Sequence, residues 1–451
     1  MLDVMKTFGL TAEDPLRHYL DLRMKEKTYP SGTQNAEVKE ENGKGKSQAT
    51  EDKNSDTNLG SLTTRKRKLQ AVDADLETRR SLWRQQVPHL YDLVVTHRRS
   101  PCVRTLHWPM GAAVLDKEVV LQRIVFGTRE ALVIAAVQLP WKAPLTEECQ
   151  VGQTSLPQDE RRVVKPSVRV TQYMKHEGLM KYLTCSPQTY LLTATQAEGS
   201  GDVLLFCVGD WQDAANAECR PDRHLEAPGL PAGCCWISGG NLLSGSSVGA
   251  HLWDVEAGSL VREFPSGDFT TTAVASMSSS PELFATSGSD GHCRVWDMRT
   301  GDVVFDWDCH QGPASCVAFG PGDLLASGGA DSGIMLRELR HPNRSLCSCS
   351  WDGAHFGSVS HLAWSPFSRL LAGAYADGRM LLWDVDKAQS VSEVSAEPPG
   401  VVFVHGGHSG CEPTGLAWSN DCPQLMASAD SNEIQFWRPA ATLFGQGPGS
   451  S

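Results

Sequence analysis

The sequence predicts an all-β fold: a seven-bladed β-propeller with an N-terminal amphipathic α-helix packed on its side. Three observations carry this. A Trp-Asp pair closes a short apolar run at Leu252-Trp253-Asp254, Val295-Trp296-Asp297 and Leu382-Trp383-Asp384, with worn copies at Leu336-Arg337-Glu338 and Phe436-Trp437-Arg438. The steps between these copies are 43, 41, 46 and 54 residues, and a Trp-Asp signature returning every 40 to 45 residues or so marks WD repeats, each folding as a four-stranded blade. From Val103 onward the chain is a series of short β-type runs separated by turns, and its 41 glycines and 40% hydrophobic content suit a turn-rich body with a large core.

Taken in order, residues 1–72 are expected to be a mostly disordered tail. Residues 28–64 are rich in Ser, Thr, Asn, Gly, Lys and Glu and poor in large apolar side chains, so they cannot bury enough surface to offset the entropy of ordering. The tail carries a basic cluster, Arg65-Lys66-Arg67-Lys68, the pattern of an exposed nuclear localisation signal. Residues 73–97 read as the helix: Leu76, Trp83, Val87, Leu90 and Val94 share one face, Asp73 or Asp75 can cap its start, and Pro88 must kink or restart it.

The propeller is expected over 98–440, with blades near 103–140, 168–210, 224–257, 271–300, 313–340, 358–386 and 406–439. A polar excursion covers 142–164, and an insertion containing two prolines covers 386–399 and accounts for the 54-residue step. Residues 441–451 read as a flexible C-terminus.

Charge is unevenly placed. Residues 1–100 are net +3, and because the whole chain is −12 the rest carries −15. An acidic body repels phosphates, which argues against direct nucleic-acid binding and favours basic protein partners. The start shows no secretory signal, and the most apolar run, near Ala131–Trp141, is too short to span a bilayer. Fourteen cysteines without Cys-x-x-Cys spacing read as free thiols in a reducing compartment, with no zinc site and no cofactor.

Two patterns resemble chemistry. His310 and Asp331 are 21 residues apart, while His355 and Asp377, and His408 and Asp430, are each 22 apart. A catalytic pair occurs once, whereas these recur with the blade, so they read as a structural polar network. No nucleophile elbow, P-loop or zinc-protease motif is present, so no enzymatic activity is expected. The second pattern, Trp296-Asp297-Met298-Arg299, resembles the docking box of substrate receptors of cullin-RING ubiquitin ligases, with Trp296, Asp297 and Arg299 as the adaptor contacts; this is the alternative functional reading.

A more extended resemblance rests on Leu82-Trp83-Arg84-Gln85-Gln86-Val87-Pro88-His89-Leu90-Tyr91-Asp92-Leu93-Val94-Val95-Thr96-His97. It continues through Leu121–Thr128 and Leu132–Pro140, and returns at Glu397-Pro398-Pro399-Gly400-Val401-Val402-Phe403-Val404-His405-Gly406-Gly407-His408. These segments are similar to the N-terminal helix and double-proline loop of the retinoblastoma-associated histone-binding WD-repeat family. The likeness spans roughly residues 80–440.

The resemblance implies a non-enzymatic histone-binding scaffold or chaperone subunit. It would work in chromatin assembly, deacetylase, remodelling or methyltransferase complexes, as a monomer within larger assemblies. It would be nuclear, with some of it cytoplasmic, and without membrane contact. It also implies a side groove that clasps a helix of one histone of the central tetramer. Trp83, Leu90, Val94, Val401, Val402 and Phe403 would form the apolar trough, Asp92, Glu393 and Glu397 the acidic rim, and Pro398 and Pro399 would stiffen the insertion. Leu90→Asp with Phe403→Asp is the pair expected to abolish binding.

The family also holds the tail of the other histone on its top face, through acids and aromatics. Here Glu177 keeps the first acid, but the later positions fall on Leu230, Ala232, Thr272 and Ser360. Tail binding is therefore expected to be weaker than helix binding.

Overall fold

A computed structural model describes residues 78–98, 102–109, 113–116, 119–129, 131–140, 166–176, 179–186, 190–196, 202–207, 221–237, 240–343, 345–349, 357–389, 400–408 and 411–444. The chain divides into two compact units, residues 1–86 and 87–451. Of the first, the described part is the opening of helix α1, which covers residues 78–90. The basic cluster Arg65–Lys68 lies outside the described residues.

The second unit is the propeller. Its described strands form seven antiparallel sheets. The first holds β2 (Thr105–His107), β3 (Ala113–Asp116), β4 (Val119–Gly127), β5 (Ala131–Pro140) and β6 (Ser167–Lys175). The second holds β7 (Leu179–Cys185), β8 (Tyr190–Gln196), β9 (Val203–Cys207) and β10 (Arg223–Leu225). The third is β11 (Pro231–Trp236), β12 (Asn241–Ser246), β13 (Gly249–Asp254) and β14 (Ser259–Pro265), and the fourth is β15 (Thr271–Ser276), β16 (Leu283–Gly288), β17 (His292–Asp297) and β18 (Val303–Asp308). The fifth is β19 (Ala314–Gly320), β20 (Leu324–Gly329), β21 (Ile334–Glu338) and β22 (Ser345–Cys349), and the sixth is β23 (Val359–Trp364), β24 (Leu370–Tyr375), β25 (Met380–Asp384) and β26 (Val401–His405).

The seventh sheet takes β27 (Gly415–Trp418), β28 (Met426–Ala429) and β29 (Ile434–Pro439) from the end of the chain and β1 (Tyr91–His97) from its beginning, in the order β1-β29-β28-β27. The first strands β2, β7, β11, β15, β19, β23 and β27 touch in succession, and β27 returns to β2. That closes the ring. The seven-bladed WD-repeat propeller read from the sequence is the fold observed.

Sheets packed on both faces read as continuous apolar runs, and Leu370–Tyr375 and Leu324–Gly329 are buried throughout. Between blades, side chains of successive sheets form shared cores. One joins Ile124, Phe126 and Val133 of the first blade to Ile434 and Phe436 of the last. Another joins Leu336 and Cys349 to Trp383 and Leu381.

Three of the repeat tryptophans lie in these seams and hydrogen-bond a hydroxyl on the preceding strand. Trp253 Nε1 donates to Ser244 Oγ at 2.8 Å, Trp296 to Thr286 Oγ1 at 2.9 Å and Trp437 to Ser428 Oγ at 2.9 Å. In all three, the hydroxyl sits two residues beyond the Trp's cross-strand partner, which is Leu242, Phe284 or Met426.

Three expectations are corrected. The helix does not run to His97. It ends at residue 90, and Tyr91–His97 is an edge strand. Tyr91, Leu93 and Val95 are buried in alternation, a period of two that the β-branched Val94, Val95 and Thr96 favour. The open edge of β29 supplies the partner such a segment needs. The blade limits also shift C-terminally. In the third to sixth sheets the outer strand comes after the Trp-Asp position, Ser167–Lys175 belongs to the first blade, and the seventh is completed by the N-terminal strand. Finally, the C-terminus begins with an ordered 3-10 turn, Ala441–Phe444. The insertion at 386–399 opens as a short helix, α2 (Val385–Gln389), and its residues 390–399 lie outside the described residues.

Candidate functional site

The junction of the sixth and seventh blades gathers most of the described groove residues. Tyr91, the first residue of β1, reaches across the seam to β26. Its hydroxyl is hydrogen-bonded to His405 Nδ1 at 2.9 Å, and its ring meets Phe403 edge-on with centroids 5.0 Å apart. Trp437 completes the cluster, stacking on His405 at 4.3 Å and on Phe403 at 5.8 Å. Burial holds His405 well below the usual imidazole range, with His408 lowering it further, so this seam is apolar and uncharged.

Phe403 is buried at 5% exposure; it anchors the seam and presents little to a partner. Leu90, Val94, Val401 and Val402 are half-buried, and Val401 lies against the core shared by the fifth and sixth blades. Asp92 is committed within the fold: its carboxylate accepts the Ala441 N–H at 2.9 Å and caps the 3-10 turn. It also faces Arg438, whose pKa burial lowers. Leu90 contributes its carbonyl, which accepts from the Ala440 N–H at 2.9 Å. Trp83 is half-buried on the stretch of α1 in the first unit. Glu393, Glu397, Pro398 and Pro399 lie outside the described residues.

The second candidate surface is the rim of the ring. Five first strands carry a β-bulge at their start, between Met180 and Tyr182, Pro231 and Gly233, Thr271 and Ala273, Ala314 and Cys316, and Val359 and His361. The extra residues are Lys181, Ala232, Thr272, Ser315 and Ser360, and a bulge re-aims the side chain it carries. Three of them cross to the first residue of the next blade's inner strand. Lys181 Nζ donates to the Pro231 carbonyl at 3.4 Å, Thr272 Oγ1 to that of Ala314, and Ser315 Oγ to that of Val359 at 2.8 Å. Ser360 Oγ turns back to the Ala374 carbonyl at 3.3 Å, and Ala232 is buried. Of the positions where acids and aromatics were expected for a tail-binding face, Thr272 bonds to the next blade, Ser360 bonds within its own and Ala232 is buried. Leu230 is exposed at 45% beside Val248 at 48%, and Glu177 lies outside the described residues.

The His–Asp pattern is internal to the blades. His310 Nδ1 lies 3.0 Å from Asp331 Oδ1, and its Nε2 is 2.9 Å from Ser327 Oγ. In the last blade His408 Nε2 is 2.7 Å from Ser428 Oγ, the same hydroxyl that receives Trp437. His408 Nδ1 lies 3.5 Å from Asp430. Glu433 joins His408 and Asp430 to make a fully buried trio with metal-ligating atoms. Those carboxylates are occupied: Asp430 Oδ1 accepts the N–H groups of Asn432 and Glu433, and Glu433 accepts from Arg98 and Gln435. His355 lies outside the described residues, and Asp377 pairs with Arg379 at 2.8 Å.

At the Trp-Asp-x-Arg box, Trp296 is buried against Phe284 and unavailable to a partner. Arg299 is 72% exposed, but folds back onto Asp297 at 3.0 Å.

Sequence reasoning missed Tyr91 and His405 as a pair. The signal was present in the alternation of Tyr91, Leu93 and Val95, which the helical spacing of Leu90 and Val94 obscured.

Comparison with known proteins agrees with this architecture. Residues 258–297 match the family described as WD domain, G-beta repeat, and residues 321–421 match the anaphase-promoting complex subunit 4 WD40 domain. Over 392 residues the chain is 28% identical to the WD-40 repeat-containing protein MSI3 of Arabidopsis thaliana, covering 81% of this chain and 90% of that relative. The resemblance to the retinoblastoma-associated histone-binding WD-repeat proteins read from the sequence is met by this relative.

Proposed function

We propose that this chain, similar along most of its length to a WD-repeat protein of the retinoblastoma-associated type, is a histone-binding scaffold subunit of chromatin-assembly or chromatin-modifying complexes. It works by binding and not by catalysis, and acts in the nucleus. The observation that carries the reading is the blade six–seven seam. Tyr91, Phe403, His405 and Trp437 lock β1 to β26, which brings the half-buried Leu90 and Val94 to the same seam as Val402. An amphipathic basic helix needs such an apolar strip, and the net charge of −12 provides a long-range attraction for it. With Asp92 engaged by the Ala441 N–H, the rim acid falls to the 386–399 insertion, through Glu393 and Glu397.

The alternative, a ubiquitin-ligase substrate receptor, would use Arg299 without Trp296. Purifying the tagged full-length chain from nuclear extract separates the two readings. Core histones and chromatin-complex subunits support the proposal, whereas a cullin adaptor retained by wild type and lost with Arg299→Ala overturns it.

A further inference from the structure

The outer strands of the third and fourth blades repeat a feature of the sixth: a β-bulge beside the residue that faces the blade's Trp. Leu260 pairs with Trp253 and Arg262 with Leu252, so Val261 is the extra residue. Val304 is extra between Val303, opposite Trp296, and Phe305, and Val402 between Val401, opposite Trp383, and Phe403. The fifth blade has Leu346 at this place, between Ser345 and Cys347. What covers the bulge differs. Over the fifth blade's outer strand lies α2, whose buried Val385 and Ala388 join the core that Leu346, Cys347 and Val401 pack against. In the third and fourth blades the bulge is bare: Leu260 is 39% exposed, Val261 55%, Val303 40% and Val304 45%.

Among the described residues eight large apolar side chains stand exposed, and these are four of them. They lie on neighbouring strands. Phe264 of β14 packs edge-on against Trp296, with centroids 6.2 Å apart, and Trp296 is the cross-strand partner of Val303. The Arg262 guanidinium reaches the turn before β18: a Cβ at Gly301 would stand 3.1 Å from its Nη1. Exposed apolar residues scattered singly are ordinary, whereas a contiguous strip rimmed by charge marks a docking site. The rim is acidic. Residues 254–268 and 297–308 hold eight Asp and Glu against Arg262 and Arg299, a net of −6. Arg299 is tied to Asp297, while Glu256, Glu263 and Asp302 are exposed. A bulge twists a strand edge and spoils pairing with an incoming strand, so the strip offers side chains and not backbone. It fits the apolar face of a helix whose other face is basic, with anchors spaced as Val385 and Ala388 are in α2.

We propose that the outer strip of the third and fourth blades is a second protein-docking surface, which takes a basic amphipathic helix of a partner across Leu260, Val261, Val303 and Val304. The fifth blade shows the mode of cover, a helix of the chain itself laid on the same bulge; in the third and fourth blades the helix comes from outside. This surface is separate from the seam between the sixth and seventh blades and does not rest on what that seam binds. A scaffold with both surfaces holds two helical partners at once.

The test titrates a synthetic helix of about 18 residues, long enough to be helical, with leucine on one face and lysine on the other, into the full-length chain. Wild type and Leu90→Asp/Val402→Asp are compared, so that binding shared by both belongs to the strip and not to the other seam. The expected result is saturable binding by both that weakens with salt, with slowed hydrogen exchange at residues 259–265 and 301–308. Adding Val261→Ser/Val304→Ser should weaken it about tenfold or more, the scale of burying two valine side chains. Should that variant unfold early, Glu256→Gln/Asp302→Asn tests the same surface through its charge and should flatten the salt dependence. No binding, unchanged affinity in Val261→Ser/Val304→Ser, or equal binding by a scrambled peptide or by one with glutamate in place of lysine each overturns the proposal. So does a wild type that sediments as a dimer while Val261→Ser/Val304→Ser is monomeric, which would give the strip to a second copy of this chain.

Discussion

The Tyr91 hydroxyl is hydrogen-bonded to His405 Nδ1 across the seam between the sixth and seventh blades, at 2.9 Å and with both groups buried. Through this pair the strand that closes the ring is fastened to its neighbour as well as to β29. Tyr91→Phe keeps the ring packing on Phe403 and removes only the hydroxyl, leaving a buried imidazole nitrogen short of a partner. Unfolding in urea should show a loss of about 1–2 kcal/mol, with the β-sheet circular dichroism spectrum unchanged.

Stability should fall on mild acidification. Burial pushes His107 and His361 down to about 4 and holds His405 well below 6.5. Above pH 6.5 all three are neutral in the folded and unfolded chain, and their burial carries no penalty. As pH drops below 6.5 the unfolded chain binds protons that the folded chain does not, so stability is lost down to about pH 4. Each group contributes a slope of up to about 1.4 kcal/mol per pH unit in that window. Urea midpoints measured from pH 8 to 4 check this, and His361→Gln should flatten the fall.

The hydroxyl–histidine chains tie the strands within a blade to one another. Trp437→Phe removes the donor to Ser428 and should cost about 1–2 kcal/mol. Partner binding by the protein that remains folded should not change. Loss of binding at full stability would assign this chain a direct role at a partner surface.

Arg299→Ala removes an exposed ion pair with Asp297, and should leave the urea unfolding midpoint unchanged. The set of co-purifying proteins should be the same, as read by quantitative mass spectrometry.

Much of the fold is legible in the sequence because the Trp-Asp copies mark third strands, whose Trp side chains are buried in the seams. The outer strand after each copy is less legible. Strands such as Ser259–Pro265 and Val303–Asp308 are largely exposed, so little apolar patterning announces them and spacing alone ends the blades too early. Tyr91–His97 reads as helix for another reason. Leu90 and Val94 fit a helical face as well as a strand, and the open edge of β29, more than 330 residues away in sequence, decides between them. The alternation of Tyr91, Leu93 and Val95 is the one local trace of this pairing, and the helical spacing of Leu90 and Val94 masks it.

At the candidate site, Leu90, Val94 and Val402 can be found from the sequence, and they are half-buried apolar positions. Phe403 and Asp92 have outward roles in the sequence reading that the structure turns inward, because neither the aromatic cluster nor the 3-10 turn can be read from spacing. At the rim, Thr272 and Ser360 stand out in the sequence for lacking charge; their bonds across and within the blades show what they do instead.

Phe403 is too deeply packed to serve as a probe of binding, since an aspartate there would break the seam. Leu90 and Val402 are half-buried and test the surface directly. The decisive measurement is a calorimetric titration of a synthetic core-histone helix into wild type and into Leu90→Asp/Val402→Asp, after equal thermal unfolding profiles establish that both are folded. Wild type should bind, with affinity that weakens as salt rises, and the double variant should lose at least about tenfold, or roughly 1.4 kcal/mol. Equal binding by the two folded proteins, or no binding by wild type, would contradict a histone-helix site at this seam.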